Sequence, residues 1–167
     1  MHDKSYLRTL IDFNAWANEE MYQKVSELPP EEVKKERPTP LVSIYVSLHH
    51  LWNVDVMWMG HMTGQTHDYK TLRDVKIEEF DDLWAARKVM DKTLQDYVDG
   101  LSAEEMEEIV DYELLGGNTG SMSRVMCLTH LAMHGAYHRG WISDMFGQAG
   151  AQQPSIDIPV YERALRE

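Results

Sequence analysis

Residues 130–141 read HLAMHGAYHRGW and place His130, His134 and His138 at intervals of four. On a helix, positions four apart differ by about 40° around the axis and about 6 Å along it, so His134 and His138 point the same way. Two imidazoles so placed can share one metal ion, the spacing used by helical zinc sites. Spacing alone is a weak signal, because helix-facing histidines also occur as packed or solvated residues. The surroundings strengthen it. Cys127, Leu131, Trp141 and Met145 share the face of His134, which marks that face as apolar and buried. An imidazole buried without a polar partner costs free energy, and a divalent cation would satisfy both rings.

A third ligand would have to come from a facing helix, a common way to build a site in a bundle core. The segment SLHHLW supplies His49 and His50, which lie about 100° apart on a helix and cannot both face one ion. Ser43, Ser47, Val54 and Met57 share the side of His50, and the small residues among them leave room for a pocket. His49 lies with Val42, Tyr45, Trp52 and Val56, a bulkier set suited to packing. Periodicity leans towards His50 without deciding the matter. His130 lies about 80° from His138 and two turns away, so it reads as a support or packing residue rather than a third ligand. Cys127 is about 10 Å from His134 and reads as a small buried residue. His2, His61 and His67 fall at ends or in loops and read as solvated.

Four long segments carry the helical periodicity that would position these residues. The first runs from about Lys4 to Leu28, with Asp3 as N-cap and LPP as its stop. Its apolar positions are Leu7, Leu10, Ile11, Phe13, Ala17, Met21 and Val25. The second runs from Pro40 or Ser43 to Met62 and is apolar nearly all round, so it is either central to the core or also covered by another subunit. The third, about Ile77 to Gly100, places Phe80, Leu83, Trp84, Val89, Met90, Leu94, Tyr97 and Val98 on its buried side. Ser102 and Glu105 form a capping-box signature opening a short helical turn. VDYELLGGNTGSM then reads as a loop or small hairpin. The fourth long helix starts near Ser121 or Ser123 and runs to about Gln148, with Gly150 as its stop. The tail is broken by Pro154 and Pro159 and closes with a helical turn at most. The expectation is an all-α four-helix bundle, a single domain over residues 1–167, with a small irregular or hairpin insertion before the last long helix.

Bulk properties narrow the partners. The chain has 167 residues, 43% hydrophobic and 26% charged, with a net charge of −12 and no basic cluster. So acidic a surface repels phosphate backbones and anionic lipid, which argues against nucleic acid and membrane as partners. A single cysteine allows no internal disulfide. The N-terminus lacks the basic start and apolar run of a signal peptide, and no stretch approaches the roughly 20 apolar residues of a membrane span. The expected location is cytoplasmic.

Three segments together resemble the DinB/YfiT-like superfamily across nearly the whole chain. FNAWANEEMYQKVSELPPEE looks like its first-helix pattern, with Asn14, Trp16, Ala17 and Asn18 in order. SIYVSLHHLWNVDVMW resembles its second-helix pattern and, aligned on Ser43, Ile44, Leu48, Asp55 and Trp58, puts the family histidine on His50. HLAMHGAYHRG is similar to the fourth-helix signature, whose ligand pair falls on His134 and His138. The resemblance implies a four-helix bundle, commonly a homodimer, with a divalent metal held by three histidines. Some members are thiol S-transferases that use bacillithiol or mycothiol, and a relative isomerises maleylpyruvate with a thiol cofactor. The family often has His and Gln where Tyr137 and Trp141 stand here.

Three neutral histidines leave a coordination position open, as in catalytic rather than structural zinc. That position would take water or the sulfur of a small thiol, and a bound cation favours the nucleophilic thiolate. The expected chemistry is attack of a low-molecular-weight thiol on a small electrophile, with no protein nucleophile. Imidazole suits zinc or nickel best here, with iron and manganese as alternatives. Arg139 reads as a contact to a carboxylate of cofactor or substrate, or as a helix-surface salt bridge. Asp55 reads as an acceptor orienting an imidazole, or as a partner of Asn14 or Asn18. Two other functions compete: a non-catalytic metal-binding, stress-related protein, and a metal-free dimeric interaction module.

Overall fold

The computed structural model describes residues 3–71 and 73–166; His2 lies outside them. Helix α1 (Lys4–Ser26) starts at Asp3, whose carboxylate accepts from the Ser5 N–H at 2.8 Å. It stops at the two prolines, but Pro30 then opens a short α2 (Pro30–Lys34) that the sequence reading did not include. A proline at the first position of a helix loses no hydrogen bond, so the residue that ends one helix can begin the next. Helix α3 (Ile44–Thr63) is capped by Ser43, whose Oγ accepts from Val46 N–H at 3.1 Å. Gly64, at φ +73°, ends it in the left-handed region that glycine enters without strain.

Helix α4 (Phe80–Gly100) begins three residues later than the pattern suggested. Ile77 is held outside the helix, its carbonyl accepting from the Tyr45 hydroxyl and facing His49 Nε2, both at 2.8 Å. A capping box at Ser102 and Glu105 opens α5 (Ala103–Glu107). The antiparallel hairpin of β1 (Ile109–Glu113) and β2 (Thr119–Ser123) follows, then α6 (Arg124–Gln148), and α7 (Ile158–Ala164) closes the described chain.

The four long helices make the bundle. Helix α1 packs against α4 and α6, and α3 packs against the same two, so α1 and α3 face each other across it. Two apolar clusters fill the interior. One includes Leu7, Ile11, Leu94 and Leu128; the other includes Met21, Leu48, Leu83 and Ile142. Between them along the helices lie buried polar residues: Asn14 and Asn18 on α1, Asp55 on α3, Arg87 and Asp91 on α4, and Arg139 on α6. A polar layer divides the core.

Every residue of α3 except Thr63 is buried or half-buried within one chain, with Val46, Trp52, Val56 and Met59 among the half-buried. One expectation is adjusted. Val89 on α4 is 68% exposed, and Arg87 and Asp91 occupy the inward positions of that helix instead. No helix among the described residues is long and apolar enough to cross a membrane.

Candidate metal centre

The packing of α3 on α6 brings His50 against His134 and His138, each offering one ligand atom within 4.8 Å of the others. Nε2 of His50 and Nε2 of His134 stand 3.1 Å apart. Two nitrogens each about 2.1 Å from a tetrahedral ion lie roughly 3.4 Å from one another, so small side-chain shifts suffice to ligate. His50 and His138 are buried and His134 is half-buried.

The electrostatics also suit a cation. Burial holds His134 far below the ordinary histidine value, to about 2, with the neighbouring imidazoles of His138 and His50 adding to the effect. Burial and His50 bring His138 down to about 4. Both rings are therefore neutral near pH 7, the form that ligates. Nδ1 of His134 and Nδ1 of His138 are buried with no hydrogen-bond partner among the described residues. Buried polar atoms are seldom left so. Three convergent imidazoles fit a divalent ion of the zinc or nickel kind.

A consequence for stability follows from these shifts. Below pH 6.5 the unfolded chain protonates His134 and His138 while the folded, metal-free protein does not, so acid favours unfolding. The stability present above pH 6.5 is expected to be lost progressively as pH falls towards 4. The melting temperature of metal-free protein, measured at pH 7.5 and pH 5, should drop by several degrees on acidification. The His134→Ala/His138→Ala double variant should show a clearly smaller drop, and an equal drop in both proteins would show that other groups carry the effect.

The remaining histidines fall into place around the cluster. Both ring nitrogens of His49 face carbonyls, Tyr45 O at 3.0 Å and Ile77 O at 2.8 Å, so His49 ties α3 to the segment before α4. His130 packs its ring 5.0 Å from Trp58 and 5.5 Å from His134, behind the cluster rather than in it. Tyr137 and Trp141 lean on His138, with ring centroids 5.0 and 4.9 Å away. Cys127 is fully buried, and burial pushes its thiol up to about 11, so it packs as a neutral group.

Asp55 and Arg139 have partners other than those read from sequence. Asp55 pairs with Arg87 at 2.6 Å rather than with an imidazole or an α1 asparagine. Arg139 is 1% exposed, and its Nη1 donates to Asn14 Oδ1 and Asn18 Oδ1, both at 2.7 Å. It is not a surface salt bridge; it lies at the wall of a cavity also lined by Phe13, Gly140 and Ser143, and its Nε has no hydrogen-bond partner among the described residues. The sequence reading missed Arg87 and Asp91, which sit 2.9 Å apart, and Asn18 Nδ2, which donates to Asp91 Oδ1 at 2.9 Å. Their available signal was position: Leu83, Arg87, Asp91, Leu94 and Val98 follow one helical stripe.

Comparison with known proteins places this geometry. The model of the DinB family matches residues 1–167. Protein DinB of Bacillus subtilis (strain 168) is 27% identical over 164 residues, covering 91% of each chain. Among solved structures, YfiT from Bacillus subtilis superposes with a TM-score of 0.71 at 12% identity, over 91% of this chain and 92% of that one. YfiT is described as a probable metal-dependent hydrolase with an unusual four-helix bundle topology. A DinB-like protein from Bacillus cereus ATCC 10987 gives a TM-score of 0.61 at 16% identity, over 83% and 89% of the two chains.

Proposed function

The chain belongs to the DinB family, and from that premise we propose that it is a metal-dependent transferase activating a low-molecular-weight thiol against a small electrophile. The observation that carries the reading is the convergence of His50, His134 and His138, three ligands that would leave a tetrahedral ion one position short. A divalent ion bound there would supply Lewis acidity and favour the thiolate form of a thiol. The chain's own residues do the rest. His134 and His138 are held neutral by burial, and His130 and Trp58 pack behind the cluster. Tyr137 and Trp141 form an aromatic flank on His138. Cys127, buried and neutral, is unsuited to act as a nucleophile.

The description of YfiT as a metal-dependent hydrolase supports metal dependence and also favours a second reading, in which water takes the open position. One assay separates the two. Zinc- or nickel-loaded protein is incubated with monochlorobimane and, in turn, bacillithiol, mycothiol or glutathione. Conjugation at least about tenfold above the protein-free rate, abolished by chelation, is expected for positioned nucleophilic chemistry. Conjugation at the protein-free rate with every thiol would contradict the transferase reading.

A further inference from the structure

We propose that Asn14, Asn18, Gly135 and Arg139 are positioning residues for the metal ligands, fixing how α6 sits against α1 and thereby where His134 and His138 point. The proposal rests on the reading of the histidine cluster as a metal centre. Gly135 directly follows one ligand on α6 and Arg139 directly follows the other. Successive helical residues are rotated by about 100°, so a helix that turns His134 and His138 towards α3 turns Gly135 and Arg139 away from it. That flank meets α1, where Arg139 Nη1 is clasped by the side-chain oxygens of Asn14 and Asn18.

Gly135 makes the approach feasible. A Cβ at this position would lie 2.4 Å from Asn14 Oδ1 and 2.8 Å from Arg139 Nη1, closer than carbon atoms come to either. Any larger residue would have to break the clasp or push α6 off α1. The linkage continues from Asn18 to Asp91, from Asp91 to Arg87 and from Arg87 to Asp55. Asp55 stands on α3, five residues after His50. Both ligand-bearing helices are thus tied, through α1 and α4, into one buried chain of contacts.

The chemistry of the layer suits positioning better than stabilisation. A buried ionic network adds little net stability over apolar packing, yet it is costly when misaligned. It therefore disfavours the sliding and rotation that an apolar interface tolerates. A slip of one residue moves a helix by about 1.5 Å, whereas metal–ligand distances tolerate roughly 0.2 Å.

The test measures zinc affinity by competition with a chromophoric chelator and records the visible spectrum of the cobalt(II)-loaded protein. Gly135→Ala is expected to weaken zinc binding about 10- to 100-fold, the range seen when groups supporting metal ligands are lost, and to alter the cobalt spectrum. In an Asn14→Ala background, which removes the nearer clashing atom, the further loss from Gly135→Ala should shrink to less than about threefold, the signature of coupled sites. Val25→Ala, in the apolar cluster at the far end of α1, should lower the melting temperature and leave zinc affinity unchanged. A Gly135→Ala protein with wild-type affinity and spectrum would overturn the proposal, as would an equal loss in Val25→Ala. Should Gly135→Ala fail to fold, Arg139→Lys serves, because an ammonium cannot reproduce the guanidinium geometry; there too unchanged affinity overturns the proposal. Failure of the wild-type protein to bind zinc would instead refute the metal reading on which it rests.

Discussion

Replacing His134 with alanine is expected to weaken metal binding at least about 100-fold and, with it, to remove thiol conjugation. His134 is the ligand whose Nε2 meets His50 at 3.1 Å and whose ring lies 4.4 Å from that of His138. Without it two imidazoles remain, on different helices. Zinc sites with a full ligand set bind with roughly 10–16 kcal/mol, so one ligand accounts for on the order of 3 kcal/mol, or at least about 100-fold in affinity. The fold should survive. The lost ring carries one buried nitrogen with no hydrogen-bond partner among the described residues and one that meets only His50, so metal-free His134→Ala should melt within a few degrees of metal-free wild type. The comparison therefore needs two measurements, zinc affinity and the melting temperature with chelator. Wild-type affinity in the variant would remove His134 from the site. A collapse in metal-free stability would make its role structural.

The largest effect on stability is expected from Arg87→Met. Arg87 is 2% exposed, pairs with Asp55 at 2.6 Å and Asp91 at 2.9 Å, and is the guanidinium closest to both carboxylates. Burial pushes both carboxyl groups up while the charge of Arg87 pulls them down. Removing the arginine takes away the largest opposing charge, leaving the Asn18 hydrogen bond to Asp91 and the more distant Arg139 charge, and strands two carboxylates in the core. Breaking a buried pair from one side costs about 3–5 kcal/mol, read as a shift in the urea midpoint at pH 7. Lys88, the next residue, supplies the contrast. It pairs with Glu19 at 3.2 Å, but its side chain is 56% exposed, and Lys88→Ala should shift the midpoint very little. A loss below about 1 kcal/mol for Arg87→Met would show that the polar layer is not the tight unit its geometry suggests.

Much of the architecture is legible in the sequence because local signals coincide. The caps at Asp3 and Ser102, the stop at Gly150 and the three-four spacing of apolar residues all point to the observed helices. What escapes is what tertiary contact decides. Ile77 stays outside α4 because its carbonyl serves Tyr45 and His49, contacts that no local propensity encodes. Arg87 and Asp91 look like the solvated charges of an amphipathic helix, and Val89 looks like core. The reverse holds because partners on α1 and α3 meet α4 at those positions.

The histidine cluster was partly readable. The spacing of four between His134 and His138 places both on one face whatever the tertiary structure. The choice between His49 and His50 was not readable from periodicity, since α3 is covered on every side. It is decided by where the carbonyls of Tyr45 and Ile77 lie, for they engage His49 and leave His50 to face α6. Asp55 and Arg139 were noticed for their proximity to ligands in sequence. Their partners sit on other helices, and only packing assigns them.

The central claim is that His50, His134 and His138 hold a divalent metal. It is tested most directly by elemental analysis of protein purified without a histidine tag, before and after dialysis against zinc. The account predicts close to one equivalent of metal per chain, retained through gel filtration and lost in His134→Ala. Protein that carries no stoichiometric metal, gains none from zinc, and melts at the same temperature with and without it would contradict the account.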